Sequence, residues 1–256
     1  MNLIDTHTHL YVEQFDKDQN QVVADAIKQG INRFYIPSID SQYTKRMHDL
    51  QSAFPERIHL MAGLHPTSVD ENYESELEHI KDRLEKEMPC AVGEIGIDLY
   101  WEQKYHSQQE VAFRQQIKLA KEYKLPIVIH CRAAFDEVFE VLEQENDDAL
   151  YGIFHCFTGN QAQAEQAIRL GFYLGIGGVV TFKNAGLDQV IKNIEPKHIV
   201  LETDAPYLAP SPKRGKRNES AYLIYIAQKL ADIWGISQEK VADITSKNAL
   251  QVFKHG

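Results

Sequence analysis

The feature that most constrains the fold is a regular alternation of short apolar, β-rich runs with longer amphipathic segments. The eight short runs comprise residues 3–4, 34–36, 60–62, 90–92, 127–129, 153–154, 172–174 and 199–201. Segments with the apolar spacing of helices lie between them, at residues 22–28, 76–87, 108–123, 135–142, 163–170 and 187–194. Parallel strands need long connections, which helices supply, so this alternation predicts a parallel α/β fold.

Eight strand and helix units in 256 residues fit the size of a (β/α)8 TIM barrel. The alternative is a doubly wound open sheet, but no G-x-G-x-x-G follows the first run and no Walker A lysine loop occurs. No linker rich in Pro, Gly or Ser divides the chain. We therefore predict a single (β/α)8 barrel domain over residues 1–256.

Composition restricts the class of protein. The net charge of −10, from 27 basic and 37 acidic residues, argues against a protein that coats nucleic acid through bulk positive charge. Three cysteines without a C-x-x-C pair provide neither a disulfide framework nor a zinc knuckle. The chain shows no signal-peptide pattern, no membrane-spanning run and no extended heptad, so we expect a cytoplasmic monomer without a membrane partner.

Polar side chains follow six of the eight runs, at the same end of each. They are His7 and His9 after the first run, then His65, Glu94, His130, His155 and Asp204 after the third, fourth, fifth, sixth and eighth. The carboxyl ends of all barrel strands meet at one mouth, so residues nearly 200 positions apart converge there. The pattern predicts a single functional site at this mouth.

Imidazole and carboxylate groups are the ligand types of Zn and Mn and, with more oxygen, of Mg. Strand alternation predicts that Asp5, His7 and His9 point to one side, which makes H-x-H a chelating pair. Because the set exceeds the needs of one ion, we predict two divalent ions bridged by Glu94. One ion is assigned His7, His9 and Asp204, and the other His130 and His155.

Neighbouring residues carry secondary predictions. Glu202 is expected to orient a ligand imidazole, with an ordinary buried ion pair as the alternative. Arg132 suits a phosphate oxygen, with a salt bridge to an acidic residue as the alternative. Cys131 and Cys156, each adjacent to a predicted ligand, are expected to point away from the site as packing residues.

Six motifs together resemble the TatD-related deoxyribonucleases, from residue 3 to about residue 250. The motifs are DTHTH at 5–9, GEIGID at 93–98, HCR at 130–132, HCFTG at 155–159, GVVTFKNA at 178–185 and LETDAPYL at 201–208. The resemblance implies a hydrolase of the metal-dependent (β/α)8 type. Its implied ligands are His7, His9, Glu94, His130, His155 and Asp204, the same residues that the strand-end pattern selects.

One position departs from the family pattern. After Arg217-Asn218-Glu219 the family commonly continues with Pro, whereas this chain has Ser220. Proline suits the first turn of a helix but carries no catalytic group, so the departure leaves the predicted activity unchanged.

The resemblance implies a deoxyribonuclease that hydrolyses phosphodiesters in the 3′-5′ exonuclease manner, with a metal-activated water as nucleophile and Mg, Mn or Zn as the metals. Asp204 is expected to bind one ion and to accept the proton of the attacking water. Arg132 and His65 are expected to offset charge on the phosphoryl group. The pattern leaves DNA, RNA and nucleotides open as substrates.

A basic cluster follows the eighth run and lies near the predicted mouth. It comprises Lys213, Arg214, Lys216 and Arg217. We expect it to hold further phosphates of a nucleic acid, with a solvated loop as the alternative.

Two other functions remain open from the residues alone. The same histidines and terminal Asp in a barrel also resemble the wider amidohydrolase superfamily, which would imply a small amide or ester substrate. Glu94 disfavours that alternative, because many dinuclear amidohydrolases carry a metal-bridging modified lysine at this strand. A non-catalytic binding module would require lost ligands, and every expected ligand type is present.

Overall fold

The computed structural model describes residues 1–101 and 103–254. Within these residues eight parallel strands follow one another along the chain. They are β1 (Leu3–Asp5), β2 (Ile31–Ile36), β3 (Ile58–Leu60), β4 (Val92–Asp98), β5 (Ile127–Arg132), β6 (Gly152–Phe154), β7 (Phe172–Ile176) and β8 (Ile199–Leu201).

The strands pair in sequence order as β1-β2-β3 and as β4-β5-β6-β7-β8. A parallel bridge between Ala62 and Val92 joins the two groups between β3 and β4. The backbone amide of Thr6 donates to the carbonyl of Leu201 at 3.0 Å, which connects β8 to β1 and closes the ring. The structure therefore confirms the (β/α)8 TIM-barrel fold.

Nine α-helices surround the strands within the described residues. They are α1 (Gln19–Lys28), α2 (Thr44–Ala53), α3 (Tyr73–Glu87), α4 (His106–Tyr123), α5 (Phe135–Glu145), α6 (Gln161–Arg169), α7 (Leu187–Ile191), α8 (Leu223–Trp234) and α9 (Gln238–Val252). The apolar spacing predicted six of these helices, and α2, α8 and α9 are additional. In α2 only Met47 and Leu50 are buried, so its apolar periodicity is too weak to stand out from a polar loop.

The amino-terminal end of the barrel is filled by apolar side chains. Ile4, Val128, Ile153 and Val200 from four strands pack together there with residues of α9 and its carboxyl end. Phe253 stacks on Tyr35 with ring centroids 3.8 Å apart. This packing closes one end of the barrel, and the predicted polar side chains lie toward the other. No helix among the described residues is long and apolar enough to cross a membrane.

Candidate metal centre

The structure brings the predicted strand-end residues together at the carboxyl end of the barrel. Glu94 lies inside β4 and is 1% exposed, so its carboxylate stands at the centre of the group. His130 lies on β5, and the remaining members follow the ends of β1, β3, β6 and β8; they are His7, His9, His65, His155 and Asp204. All are buried or half-buried.

The two oxygens of Glu94 face different imidazoles. Oε2 lies 3.0 Å from Nε2 of His7 and 3.5 Å from Nε2 of His9. Oε1 lies 2.7 Å from Nδ1 of His130 and 3.5 Å from Nε2 of His155. A carboxylate with one oxygen toward each pair of nitrogens has the placement that a bridging ligand needs.

Asp204 contacts both sides of the cluster. Its Oδ1 lies 3.6 Å from Nε2 of His9, 3.9 Å from Nε2 of His7 and 4.0 Å from Nε2 of His155. The rings of His7 and His155 stack with centroids 3.4 Å apart. His155 therefore contacts both His7 and Asp204, two residues that the sequence analysis assigned to the other ion.

Tyr11 determines which nitrogen of His9 is free. Its hydroxyl donates to the carbonyl of Pro37 at 2.7 Å and lies 3.0 Å from Nδ1 of His9. Because the hydroxyl proton is already used, Nδ1 of His9 must carry the proton and donate to the Tyr11 oxygen. The lone pair of His9 is then on Nε2, the nitrogen that faces Glu94 and Asp204.

Two carboxylates orient the imidazoles of His130 and His155. Oδ2 of Asp98 lies 2.9 Å from Nε2 of His130, so the opposite nitrogen faces Glu94. Oε1 of Glu202 lies 2.9 Å from Nδ1 of His155 and accepts from the backbone amide of Cys156 at 2.7 Å. A carboxylate behind a ligand imidazole sets its tautomer and raises its basicity, the role expected of Glu202.

His65 also contacts the cluster but has a different hydrogen-bonding state. Its Nδ1 accepts from the backbone amide of Thr67 at 3.1 Å. The neutral ring therefore carries its proton on Nε2, which lies 3.3 Å from Oε1 of Glu94 and 3.2 Å from Nδ1 of His130. A protonated nitrogen donates a hydrogen bond and does not ligate a metal, so the geometry favours a donor role for His65.

The donor set fits divalent cations. Burial, together with the charge of His155, holds the pKa of His7 well below its usual range, which leaves a neutral ligand. Burial opposes charge on His155, but the carboxylates of Glu202, Glu94 and Asp204 outweigh it and raise its pKa to about 10, so a metal ion bound there would displace a proton from this ring. Oε2 of Glu94 is buried without a hydrogen-bond donor among the described residues. The lone pairs of these groups point toward one region, where a cation could accept them and neutralise the negative charge of the carboxylates.

Arg132 lies outside the cluster, at the exposed end of β5. Its guanidinium group stands over the ring of Tyr100, 4.2 Å from the centroid, and 5.2 Å from that of Trp101. Within the described part of the chain no salt bridge to Arg132 is present, so the ion-pair alternative is not observed. Its side chain is available at the mouth of the barrel.

The prediction that Cys156 packs away from the site is wrong. Its sulfur, one ring nitrogen of His155 and one carboxylate oxygen of Glu202 lie within 4.8 Å of one another. The strand β6 ends at Phe154, and Cys156 has a φ of 43°, so strand alternation no longer applies there. Cys131 does pack against the apolar core as expected. Burial raises the pKa of the Cys156 thiol well above its usual range, which keeps it neutral.

Asp5 does not face the cluster with the two imidazoles. Its carboxylate accepts from the backbone amide of Thr203 at 2.9 Å and from the Thr203 hydroxyl at 2.6 Å. The strand β1 ends at Asp5, so the alternation that predicted a shared side stops before His7. Ser220, the residue that departs from the family pattern, is buried with its hydroxyl 3.3 Å from that of Thr8.

The basic loop divides into paired and unpaired cations. Arg217 donates to both carboxylate oxygens of Asp18, at 2.8 and 2.7 Å, and to Glu219 at 3.0 Å. The expectation that Arg217 holds phosphate is therefore not supported, because two carboxylates already neutralise it. Arg214 stands 3.7 Å over the ring of Phe182, and Lys213 stands 5.2 Å over that of Tyr222. Arg214 and Lys216 are exposed and Lys213 is half-buried, and no carboxylate among the described residues forms a salt bridge with any of the three.

Comparison with known proteins gives a consistent family. Residues 4–254 match the family described as TatD related DNase. The chain is 38% identical to an uncharacterized metal-dependent hydrolase, YabD, of Bacillus subtilis, over 98% of this chain and 99% of that protein. It is 30% identical to a protein of Pectobacterium carotovorum named 3′-5′ ssDNA/RNA exonuclease TatD, over 98% of this chain and 99% of the relative.

A solved structure agrees with this result. A TatD homologue from Escherichia coli superimposes with a TM-score of 0.92 at 26% identity, covering 99% of this chain and 98% of the other. The matches extend over nearly the whole chain and include every residue of the candidate metal centre. The chain therefore belongs to the TatD-related DNase family and is a metal-dependent hydrolase.

Proposed function

We propose that the chain is a 3′-5′ exonuclease that hydrolyses phosphodiester bonds at a two-metal site, within one barrel domain spanning residues 1–256. The observation that carries the proposal is the placement of Glu94, whose two oxygens face separate imidazole pairs. Two-metal sites with ions about 3.5–4 Å apart are typical of phosphodiester hydrolysis. The nuclease name of the Pectobacterium relative supports the same class of substrate.

Six residues would hold the metals. Glu94 would bridge, and the others are His7, His9, His130, His155 and Asp204. Divalent ions bound there would polarise the phosphoryl oxygens and lower the pKa of a bound water. Mg, Mn and Zn all suit this set of nitrogens and oxygens.

Asp204 is the proposed acceptor of the proton from the attacking water. Burial raises the pKa of Asp204 to about 6, partly offset by the nearby His155 and His9. A carboxylate whose pKa lies nearer neutrality is a stronger base than an ordinary one and is still ionised at pH 7.

The surrounding donors would stabilise the phosphate. His65 would donate from Nε2 toward the phosphoryl oxygens, since Thr67 occupies its other nitrogen. Arg132, Lys213, Arg214 and Lys216 would contact phosphates that extend beyond the scissile bond.

The test compares four substrates with matched metal loading: single-stranded DNA, single-stranded RNA, a minimal phosphodiester and a panel of amides and esters. The expected result is release of mononucleotides from the 3′ end of the oligonucleotides, and little amide or ester hydrolysis. Turnover of amides or esters alone would contradict the proposal and favour the amidohydrolase alternative. Replacement of Asp204 by Asn should remove most turnover, and undiminished activity would exclude it as the base.

A further inference from the structure

Two aromatic side chains stand exposed at the mouth of the barrel, directly after β4. Tyr100 is 58% exposed and Trp101 is 67% exposed, which is unusual for such large apolar groups. Their rings meet edge to face with centroids 4.9 Å apart. The metal centre does not use either side chain.

Arg132 completes the group by standing over both rings, at 4.2 and 5.2 Å. Its guanidinium plane and the two rings form a composite surface of stacking groups, which we call the aromatic platform. Each group of the platform is planar, the two rings are largely exposed, and Arg132 adds positive charge.

The platform is anchored to the metal centre through one carboxylate. Oδ1 of Asp98 accepts from the backbone amides of Tyr100 and Trp101 at 2.9 and 2.7 Å. Oδ2 of the same carboxylate lies 2.9 Å from Nε2 of His130. The loop carrying the aromatic rings and a predicted metal ligand therefore share one buried residue.

The platform is also close to the centre along β5. Arg132 lies two residues beyond His130 on the same strand, which separates their Cα atoms by about 7 Å. The amide of Leu99 donates to the carbonyl of Arg132 at 3.0 Å, which joins the start of the loop that carries the rings to the end of β5. A substrate with its phosphodiester at the metals would thus reach the platform with an adjacent base.

We propose that the aromatic platform stacks against an unpaired nucleobase of the strand whose phosphodiester lies at the metal centre. The inference rests on the proposed nuclease function and adds to it the surface that would hold a base next to the scissile bond. Aromatic and guanidinium faces stack on any base, whereas a paired base has both faces covered inside a duplex. The positive charge of Arg132 also suits the neighbouring phosphates, and it disfavours an uncharged apolar ligand.

Intrinsic fluorescence provides a direct test that needs no turnover. The chain has two tryptophans, Trp101 and Trp234, and the indole of Trp234 donates to the carbonyl of Ile191 at 3.2 Å, away from the mouth. Titration of chelator-treated protein with oligothymidylate should quench the fluorescence. The oligothymidylate concentration at the midpoint should be the same in Trp234→Phe. The quenching should disappear in Trp101→Ala.

Tyr100→Ala and Arg132→Ala retain the Trp101 reporter and should each weaken oligothymidylate binding by about tenfold, the loss typical of one stacking contact. Circular dichroism of each variant checks the fold. Unchanged affinity in both variants, or quenching that persists in Trp101→Ala, would overturn the proposal.

Turnover distinguishes this inference from the proposed function. In Trp101→Ala the ratio of kcat/KM for single-stranded DNA to that for a blunt duplex should fall by about tenfold. An equal fall for both substrates would overturn the platform while leaving the nuclease intact. Quenching by oligothymidylate in a wild-type protein that cleaves no phosphodiester would instead contradict the nuclease function and retain base binding at the platform.

Discussion

At the scale of single residues, the nitrogen that an imidazole presents to the centre is decided, in every case but His7, by what binds its other nitrogen. Tyr11, Asp98 and Glu202 occupy the outer nitrogens of His9, His130 and His155. Such partners orient ligands, and their loss typically reduces metal affinity by about 10- to 100-fold. His65 differs because its outer nitrogen accepts a hydrogen bond from the backbone amide of Thr67, which leaves the N–H of the ring directed toward Glu94.

This difference leads to a prediction for His65→Gln. The variant should keep the full content of bound metal, while kcat falls by about 100-fold because one donor to the developing charge is lost. Metal analysis of the purified variant and steady-state kinetics measure the two effects. His79→Gln is the matched control, since His79 contacts Thr44 on the outer helices. Loss of one equivalent of metal in His65→Gln would make His65 a ligand.

The residues that form the cluster could be predicted from the sequence, but Tyr11, which orients His9, could not. Polar residues after apolar runs are visible in the sequence, and barrel topology brings them together. Tyr11 contacts His9, and both lie in an irregular segment beyond β1. The alternation of side chains in a strand therefore does not predict where Tyr11 points. The same limit explains why the expectations for Asp5 and Cys156 were wrong. The strands β1 and β6 have only three residues each, and these two residues lie at or beyond the ends of those strands.

At the scale of elements, the loop after β8 is attached to α1 by Arg217. The guanidinium binds both oxygens of Asp18, the residue that precedes α1, and stands 4.5 Å over the ring of Phe15. One cation of the basic cluster is therefore bound to carboxylates of the chain, whereas Lys213, Arg214 and Lys216 form no salt bridge with the described residues. The sequence shows the cluster but cannot show this division, because Asp18 is 199 positions away.

The division predicts opposite effects for two neighbouring variants. Arg217→Ala should lower Tm by about 2 °C through loss of the partly exposed ion pair. Lys216→Ala should leave Tm unchanged and reduce the slope of log affinity against log salt by about 0.7 for a single strand, as expected for one lost phosphate contact. Thermal melts and oligonucleotide titrations at several salt concentrations measure both. A reduced salt slope in Arg217→Ala, without one in Lys216→Ala, would contradict the assignment.

Apolar periodicity explains only part of which helices were predicted. The helix α8 carries it clearly, with Leu223, Ile226 and Leu230 buried at helical spacing, and it was still missed. In contrast, α9 buries mainly small residues such as Ala242 and Ala249. Small side chains give a weak apolar signal even when the helix is tightly packed. The helix α9 nevertheless matters for the fold, because its carboxyl end closes the amino-terminal end of the barrel through Phe253.

At the scale of the whole molecule, closure of the barrel brings carboxylates from distant strands into one buried volume. Asp98, Glu94, Glu202 and Asp204 surround the imidazoles, and all four are buried. Taking such charges out of water is costly unless opposite charge accompanies them. The folded chain therefore carries an electrostatic cost that divalent ions at the centre would offset.

Metal binding should accordingly appear as thermal stability of the entire barrel. One ion present at 100 times its Kd contributes about 2.7 kcal/mol to the free energy of unfolding. For a chain of this length that corresponds to an increase in Tm of about 5–10 °C. Differential scanning calorimetry after chelation and after readdition of Mn²⁺ or Zn²⁺ measures the increase.

Glu94→Gln should lose most of this metal-dependent increase in Tm, because the bridge between the two nitrogen pairs loses its charge. Glu87→Gln, which alters a carboxylate bound to Arg83 on the helical layer, should retain it. An increase of equal size in Glu94→Gln would mean that the ions stabilise the fold from some other site, because without the Glu94 charge the buried imidazole pairs have no shared counter-ion.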